Sequence, residues 1–493
     1  MPLKIEQVHL NDESRGKKVS NEPKKVPSAE EICDDVVLLW RQEPAFEDVD
    51  MGVLLEKLQS RNPTWKLSSS ELGKTLLDHN LSFSDESQLF TYADQVGSLN
   101  HPLLNDKQAE KIVLRETRSH NGLQNWSVFA QKDLRQDEVI FYEHEPLTPI
   151  LPLDKTSLAE RGRSCATCGH SLTQSSQFTV KNMLDCQQCS AIWCSKHCKR
   201  LDGATHSFLK HPVSKNKKVN AAGWLAFEEV CRENAMHSAY SAGMIYARIL
   251  LDKQEGNHIR KQFDSLAQVS QGLREKAVDS TNVGGTFDKS TGAISPDKQW
   301  LWSQSFDSFC KAFPSCTEEN LDFDTYLTYV GRFNINQLEG QLFTLYSQLN
   351  HNCEPNVRYE LDTKNGLKVF ARKNIKKGEE LYTTYVNPLH GVTLRRRELL
   401  VNWGFLCSCP RCQKDLSARR KTKQDVSISM LETPISPVHA SRRKSSMKSS
   451  KPDLSELLKN GQEFDLEIPI EIGFDRRRKS VRFDDKVMAA VEE

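Results

Sequence analysis

Residues 349–356 read Leu349-Asn350-His351-Asn352-Cys353-Glu354-Pro355-Asn356, residues 376–385 read Lys-Lys-Gly-Glu-Glu-Leu-Tyr-Thr-Thr-Tyr, and residues 407–412 read Cys-Ser-Cys-Pro-Arg-Cys. Each has a bland account when taken singly. The first is a polar turn, the second a hairpin turn entering a strand, the third a small metal knuckle. Order and spacing make the set specific. Cys353 needs three thiolate partners, and Cys407, Cys409 and Cys412 supply them. Four cysteines make one closed tetrahedral zinc site of the structural type. The stretch therefore predicts a loop tied by metal to the chain beyond the following strand.

A second signal lies upstream. Cys165, Cys168, Cys186, Cys189, Cys194, Cys198, His206 and His211 are eight ligand-type residues with intervening gaps of 2, 17, 2, 4, 3, 7 and 4. Eight ligands make two tetrahedral sites. Metal for structure alone accounts for them, since a zinc site gives a small fold on the order of 10–16 kcal/mol of apparent binding energy. Binding a peptide or DNA would be an additional property.

Together these blocks resemble the SET domain of protein lysine methyltransferases. The Asn-His-x-Cys-x-Pro-Asn run at 350–356, the Gly-Glu-Glu-Leu strand entry at 378–381, the terminal Tyr385 and the Cys-x-Cys-x2-Cys clip carry the resemblance. The pattern at 165–211 resembles a MYND-type zinc finger, which makes the chain similar to the SMYD-like branch and to fungal histone H4 methyltransferases. The resemblance spans roughly 110–412. It implies an α+β chain: a β-rich SET fold with a pseudoknot, interrupted by the finger and a helical insert. A small helical N-terminal module and disordered tails complete it.

The same resemblance implies chemistry. The cofactor would be S-adenosyl-L-methionine, the substrate a histone tail, H4 by resemblance, and the location nucleus and cytoplasm. Tyr385 would orient the lysine amine and stabilise charge near the methyl, with Tyr382 and Tyr359 as core tyrosines. Asn350, His351, Phe405 and Asn336 would contact the cofactor. Where the family has a Gly-x-Gly turn against the cofactor, this chain has Asn125-Trp126-Ser127, with Gly122 three residues earlier. Backbone groups there would serve, although side chains now stand where glycine has none. Carried over, Cys165, Cys168, Cys194 and Cys198 bind one zinc, and Cys186, Cys189, His206 and His211 bind another. The family ends that set His-x3-Cys. Here position 210 is Lys and His211 is the next candidate. The four cysteines of the clip make a third zinc. A rival reading is a catalytically weak or inactive adaptor that recruits chromatin partners.

Composition agrees with a multidomain chain carrying unfolded segments. The 493 residues are 38% hydrophobic with a formal charge of +1, so bulk charge selects no partner. No apolar run approaches the ~18 residues of a membrane span. The start, Met-Pro-Leu-Lys-Ile-Glu-Gln, lacks a secretory core, which points to an intracellular protein. Fourteen cysteines in a reducing compartment are metal ligands or free thiols, with Cys33, Cys231, Cys310 and Cys316 left as core thiols.

In chain order, 1–27 reads as disordered. A helical module follows at 28–105, with Val36–Trp40, Val53–Leu58 and a capping box at Ser68–Glu71 opening its helices. The first SET part occupies 110–160, with strands at Val128-Phe-Ala and Val139-Ile-Phe-Tyr around a turn at 134–138. The finger fills 165–211 and the helical insert 212–332, with helices near 222–230 and 239–250 and a polar loop at 252–298. The core is 333–390 and the clip 391–415. Residues 416–493 read as a disordered basic tail, with ten Lys and Arg against three acids in 414–451. Such a tail attracts DNA or nucleosomes without sequence preference. Residues 464–474 alternate with strand period. Lys479-x-Val481-x-Phe483 resembles the docking motif read by type-one protein phosphatase, and Ser480 behind four basic residues suits a basophilic kinase.

Overall fold

The computed structural model describes residues 5–8, 25–419 and 487–490, apart from 48, 80, 82–88, 173–175, 214–216, 253–257, 282–298, 319–320 and 363–365. The chain forms two units. In the smaller one, Ile5–Val8 pairs antiparallel with Val487–Ala490, Ile5 opposite Ala490 and Val8 opposite Val487. These two segments are strands, which corrects the expectation of disorder for them. The alternating run at 464–474 and the docking motif at 479–483 lie outside the described residues.

The larger unit opens with three helices, Ala29–Gln42, Met51–Arg61 and Ser69–Asp78. Each starts where a side chain accepts first-turn amides: Ser28, Asp50 and Ser68. The expected box at Ser68–Glu71 is reciprocal, and Ser28–Glu31 forms another. Their apolar faces make one core with Val36, Leu39, Trp40, Leu54, Leu58, Leu72 and Leu76 buried, and Leu394 from the far end of the chain joins it.

The β core is built from short strands. Ile112–Arg118 and Gln124–Ala130 form an antiparallel pair. Leu367–Ala371 is the centre of a three-stranded antiparallel sheet between Val139–Glu143 and Val357–Leu361. Asn350–His351 runs parallel to Tyr382–Thr383. Alternation places Ile112, Val128, Ala130, Ile140, Val357, Val369 and Ala371 on the buried faces. The turn between the first two strands holds Gly122 at φ 78°, and Asn125–Ser127 lies inside the regular strand Gln124–Ala130. The expected turn at Asn125–Ser127 is thus a strand; the turn sits at the glycine, which takes positive φ without strain.

Helices interrupt this core. Ala221–Glu233, His237–Leu251, Gln299–Ala312 and Phe323–Asn336 pack around Trp224, Phe227, Tyr246, Phe309 and Tyr326. The loop expected over 252–298 is corrected for part of its length: His258–Asp264 and Gln271–Thr281 are helices. Their composition is polar, yet Phe263 and Ala277 within them and Leu266 and Val269 between them are buried. Tertiary packing fixes them where periodicity was too weak to read. A further helix, Val392–Trp403, ends on Gly404 in the left-handed conformation and leads to the cysteine clip.

Candidate active site

The strand Gln124–Ala130, the segment 379–383 and the loop 350–356 lie side by side. Leu381 N donates to Val128 O at 2.8 Å and Ala130 N to Glu379 O at 2.9 Å. On the other side Tyr382 is in register with Asn350 and Thr383 with His351. Asn356 locks the loop across the strand. Its Oδ1 accepts from Tyr382 N at 2.7 Å and its Nδ2 donates to Glu380 O at 2.8 Å. Two bonds in opposite senses from one amide fix both the loop and the strand entry.

Tyr385 follows directly. Its hydroxyl donates to Leu349 O at 2.8 Å, and its backbone N–H donates to His351 Nδ1 at 3.0 Å. The ring lies 5.0 Å from Trp403 and 5.4 Å from His351, and Phe405 lies 6.1 Å from His351. Burial, with the Glu380 charge behind it, drives the Tyr385 phenol well above its ordinary range. The group is a neutral donor. Burial likewise lowers His351 to about 4, so its imidazole is neutral with Nδ1 accepting.

Asn350 points its amide two ways, donating to Ser127 Oγ at 2.8 Å and Glu380 Oε1 at 2.7 Å. Tyr382 donates to Glu380 Oε2 at 2.6 Å. Asn125 and Trp126 turn elsewhere: Asn125 Nδ2 donates to Val96 O at 3.0 Å, and Trp126 stacks edge-on against His101 at 4.2 Å. Asn336 closes its helix with its amide on Ala267 O at 2.6 Å and Arg332 O at 2.7 Å. It reaches the loop region through its backbone carbonyl, which accepts from Ser347 Oγ at 3.0 Å. Tyr359 packs in the core on Tyr346.

Three clusters of ligand-type atoms form, each within 4.8 Å: Cys165, Cys168, Cys194 and Cys198; Cys186, Cys189, His206 and His211; Cys353, Cys407, Cys409 and Cys412. Any of these sets could hold a metal ion. The helix Lys196–Lys210 carries Cys198 of the first set and His206 of the second about two turns apart, with His211 as its C-cap. Cys165 and Cys412 are held well below the ordinary thiol range by neighbouring sulfurs, Cys168 first for the former and Cys353 first for the latter. Burial lowers His206 to about 4, the neutral form a metal ligand requires. Arg395 stands beside Cys412 at 3.7 Å and bonds Asp415 at 2.8 Å, while Arg411 donates to Cys353 O at 3.2 Å. Cys33, Cys231, Cys310 and Cys316 stand outside the three clusters. A cavity of about 270 Å³ lies between the finger and the helical insert, against Cys189, His206, Trp224 and Tyr240; none of the loop or clip residues lines it.

Sequence reading missed Trp403, which supports the face of Tyr385, and Glu380, which bridges Asn350 and Tyr382. Trp403 stands two residues before Phe405 in a run otherwise read only for its cysteines. Glu380 lay inside the quoted strand entry but without an assigned partner.

The family model described as the SET domain matches residues 125–386. The chain is 44% identical to the histone-lysine N-methyltransferase SET5 of Candida glabrata, across 100% of this chain and 99% of that one. It is 42% identical to SET5 of Eremothecium gossypii, across 100% and 99%, and 38% identical to SET5 of Saccharomyces cerevisiae, across 95% and 94%. With its strands, loop and tyrosine arranged around one neutral phenol, the chain belongs to the SET-domain family, among the fungal SET5 histone-lysine N-methyltransferases.

Proposed function

We propose that the chain transfers methyl groups from S-adenosyl-L-methionine to lysine ε-amines of histone tails, with histone H4 as the preferred substrate. The observation that carries this reading is Tyr385, held by Leu349 and His351 and walled by Trp403, with Phe405 against the His351 ring. The bound donor supplies a sulfonium methyl already activated for displacement. What remains for the protein is alignment and protonation state. A free lysine has a pKa near ~10.4 and is charged at neutral pH. The aromatic wall disfavours that charged form by desolvation. Tyr385 offers a neutral hydroxyl whose orientation is fixed at Leu349, so no reorganisation is needed when charge shifts during transfer.

Asn350 and His351 form the donor-binding edge. The fit rests on their chemistry: an amide partly exposed between Ser127 and Glu380, a neutral imidazole, and Phe405 as an apolar face. Strand backbone at Asn125–Ser127 flanks that edge, its side chains turned to Val96, His101 and Asn350, which counts against an adaptor with a filled site. Asn336 stands behind the group.

The three ligand clusters suit zinc, one ion each, by their thiolate and imidazole donors. Cys165–His211 would be a MYND-type finger with a structural role, and the crossing of 350–356 over 380–385 the SET pseudoknot. Histone chemistry supports a nuclear location, and a cytoplasmic pool belongs to the same proposal. Nonspecific contact of the basic tail with nucleosomal DNA and phosphatase docking at Lys479–Phe483 are further proposals on segments outside the described residues.

The test is transfer of labelled methyl from S-adenosylmethionine to individually purified core histones. Incorporation into H4, lost in Tyr385→Phe, supports the reading. Incorporation that survives Tyr385→Phe, or that prefers another histone, overturns the corresponding part.

A further inference from the structure

The helix Val392–Trp403 begins without a cap of its own. Gly391 occupies its N-cap position and has no side chain to accept the first amides. The acceptor comes from the far end of the chain. Glu47 Oε2 accepts from Thr393 N and Oε1 from Leu394 N, each at 3.1 Å. The Glu47 side chain is fully enclosed. Gly391 makes that approach possible, because a Cβ there would overlap the carboxylate. The positive end of the helix favours the negative charge.

The same carboxylate also holds the chain on the other side of the clip. Arg419 Nη2 donates to Glu47 Oε2 at 2.7 Å, and Arg419 Nη1 donates to Thr393 Oγ1. Among the described residues a helical stretch, 410–419, leaves the cysteine cluster, and Arg419 lies at its far end. One buried group thus ties together the segment entering the clip and the segment leaving it. Neighbouring contacts follow the same route: Arg41 pairs with Glu398 at 3.3 Å, and Leu394 packs in the N-terminal core. At the other end of the helix, Tyr92 OH donates to Val401 O at 3.1 Å and Tyr92 N to Gly404 O at 3.0 Å.

We propose that Glu47 is a positioning residue for the methyl-donor site. Through it, the N-terminal helical module sets where the clip stands, and hence how Trp403 and Phe405 close on Tyr385 and His351. The inference rests on the donor reading above for its functional consequence. Glu47 itself touches none of the reacting groups; it acts through Thr393, Leu394 and Arg419.

The test uses the full-length, zinc-loaded protein and Glu47→Gln. Amide exchange within 392–419 quickens while 357–371 keeps its protection. The dissociation constant for S-adenosylmethionine rises about five- to tenfold. The kcat at saturating donor stays within about twofold, because the chemical groups are intact. Arg419→Gln, which severs only the outgoing tie, moves the dissociation constant the same way by about twofold. Glu47→Ala combined with Gly391→Ser restores a local cap but not the bridge, so first-turn protection returns and donor affinity does not. Unchanged exchange in Glu47→Gln overturns the proposal. So does quicker exchange with unchanged donor affinity, or full recovery of affinity by Gly391→Ser. A parent chain that binds no donor sinks the donor reading and the positioning role with it, and that result needs no variant to be recognised.

Discussion

Asn350 Nδ2 donates to Ser127 Oγ at 2.8 Å, joining the loop to the strand at a position where glycine would offer nothing to accept. Ser127 is 1% exposed, so a buried hydroxyl orients an amide that stands at the surface. Ser127→Ala removes the acceptor and leaves Asn350 with Glu380 alone. The expected loss is about 1 kcal/mol in urea unfolding, with weaker donor binding. Ser127→Gly adds the entropic cost of glycine in a strand and should fall lower by roughly 0.5–1 kcal/mol. Tighter donor binding by Ser127→Gly would show instead that the side chain obstructs the site.

Tyr385→Phe deletes one hydroxyl and its bond to Leu349 O. The ring contacts with Trp403 and His351 remain, and the backbone N–H still reaches His351 Nδ1. The fold should therefore persist, losing about 1 kcal/mol. Loss of a preorganised polar oxygen, fixed by its bond to Leu349 and left to accept from the substrate amine, costs on the order of 10²-fold in kcat. Calorimetry should find donor affinity nearly unchanged beside that loss in rate. Equal losses in affinity and rate would mean the hydroxyl shapes the site and takes no part in the transfer.

Glu143 gives a pH dependence. Its Oε1 accepts from Leu345 N at 3.0 Å and its Oε2 from Tyr346 N at 2.9 Å, fixing the chain that leads into the Asn350 loop. Burial pushes this carboxyl up to about 7 against the pull of those amides. A folded pKa above the ordinary 4.5 means the folded state holds the proton more tightly than the unfolded chain. Stability from this group is full below about 4.5 and falls as pH rises through about 7. The residue as a whole is half-buried at the end of its strand, so the expected loss is only on the order of 1 kcal/mol. The difference in denaturant midpoint between the parent and Glu143→Gln, followed from pH 5 to 8, should show that decline. A flat difference would mean the carboxylate is ionised throughout.

Much of the site was legible because its chemistry is spelled in short, ordered motifs. Cys353 with Cys407, Cys409 and Cys412 assemble as their spacing suggested, and the eight residues from Cys165 to His211 divide into the two clusters that the family resemblance implied. Cysteine and histidine have few other reasons to recur at such intervals. The helices at 258–264 and 271–281 were not legible, because their propensity is low and their apolar residues few; Phe263 and Val269 become informative only against their neighbours. Asn125–Ser127 was placed in a turn by analogy, whereas Gly122 takes the positive φ and the strand resumes behind it. Glu47 could not be read at all. A single acid in a polar stretch gains meaning only when Gly391, hundreds of residues away, leaves room for it.

The clip offers the sharpest metal test, because its four sulfurs join segments that nothing local would hold together. Cys353 is 1% exposed, with Sγ 3.5 Å from Cys412 and 3.9 Å from Cys407, and His351 Nε2 lies 3.4 Å away. Serine at 353 keeps the shape but not the thiolate a zinc ion needs. Removing one ligand should weaken metal binding there by far more than the 10–100-fold typical of an outer partner. The helix Val392–Trp403 remains held by Glu47 and Tyr92, so the loss should stay local to 407–412 and to the loop. Metal analysis should therefore find three ions in the parent, one for each cluster, and two in Cys353→Ser, with donor binding impaired. Cys168→Ser should also lose metal, but from the finger, and should leave donor binding close to the parent. If both variants impair the donor site equally, the finger supports the active site as directly as the clip does. If Cys353→Ser retains every ion, the fourth sulfur is not a ligand, and the loop is held by its hydrogen bonds to Ser127, Glu380, Tyr382, Tyr385 and Arg411.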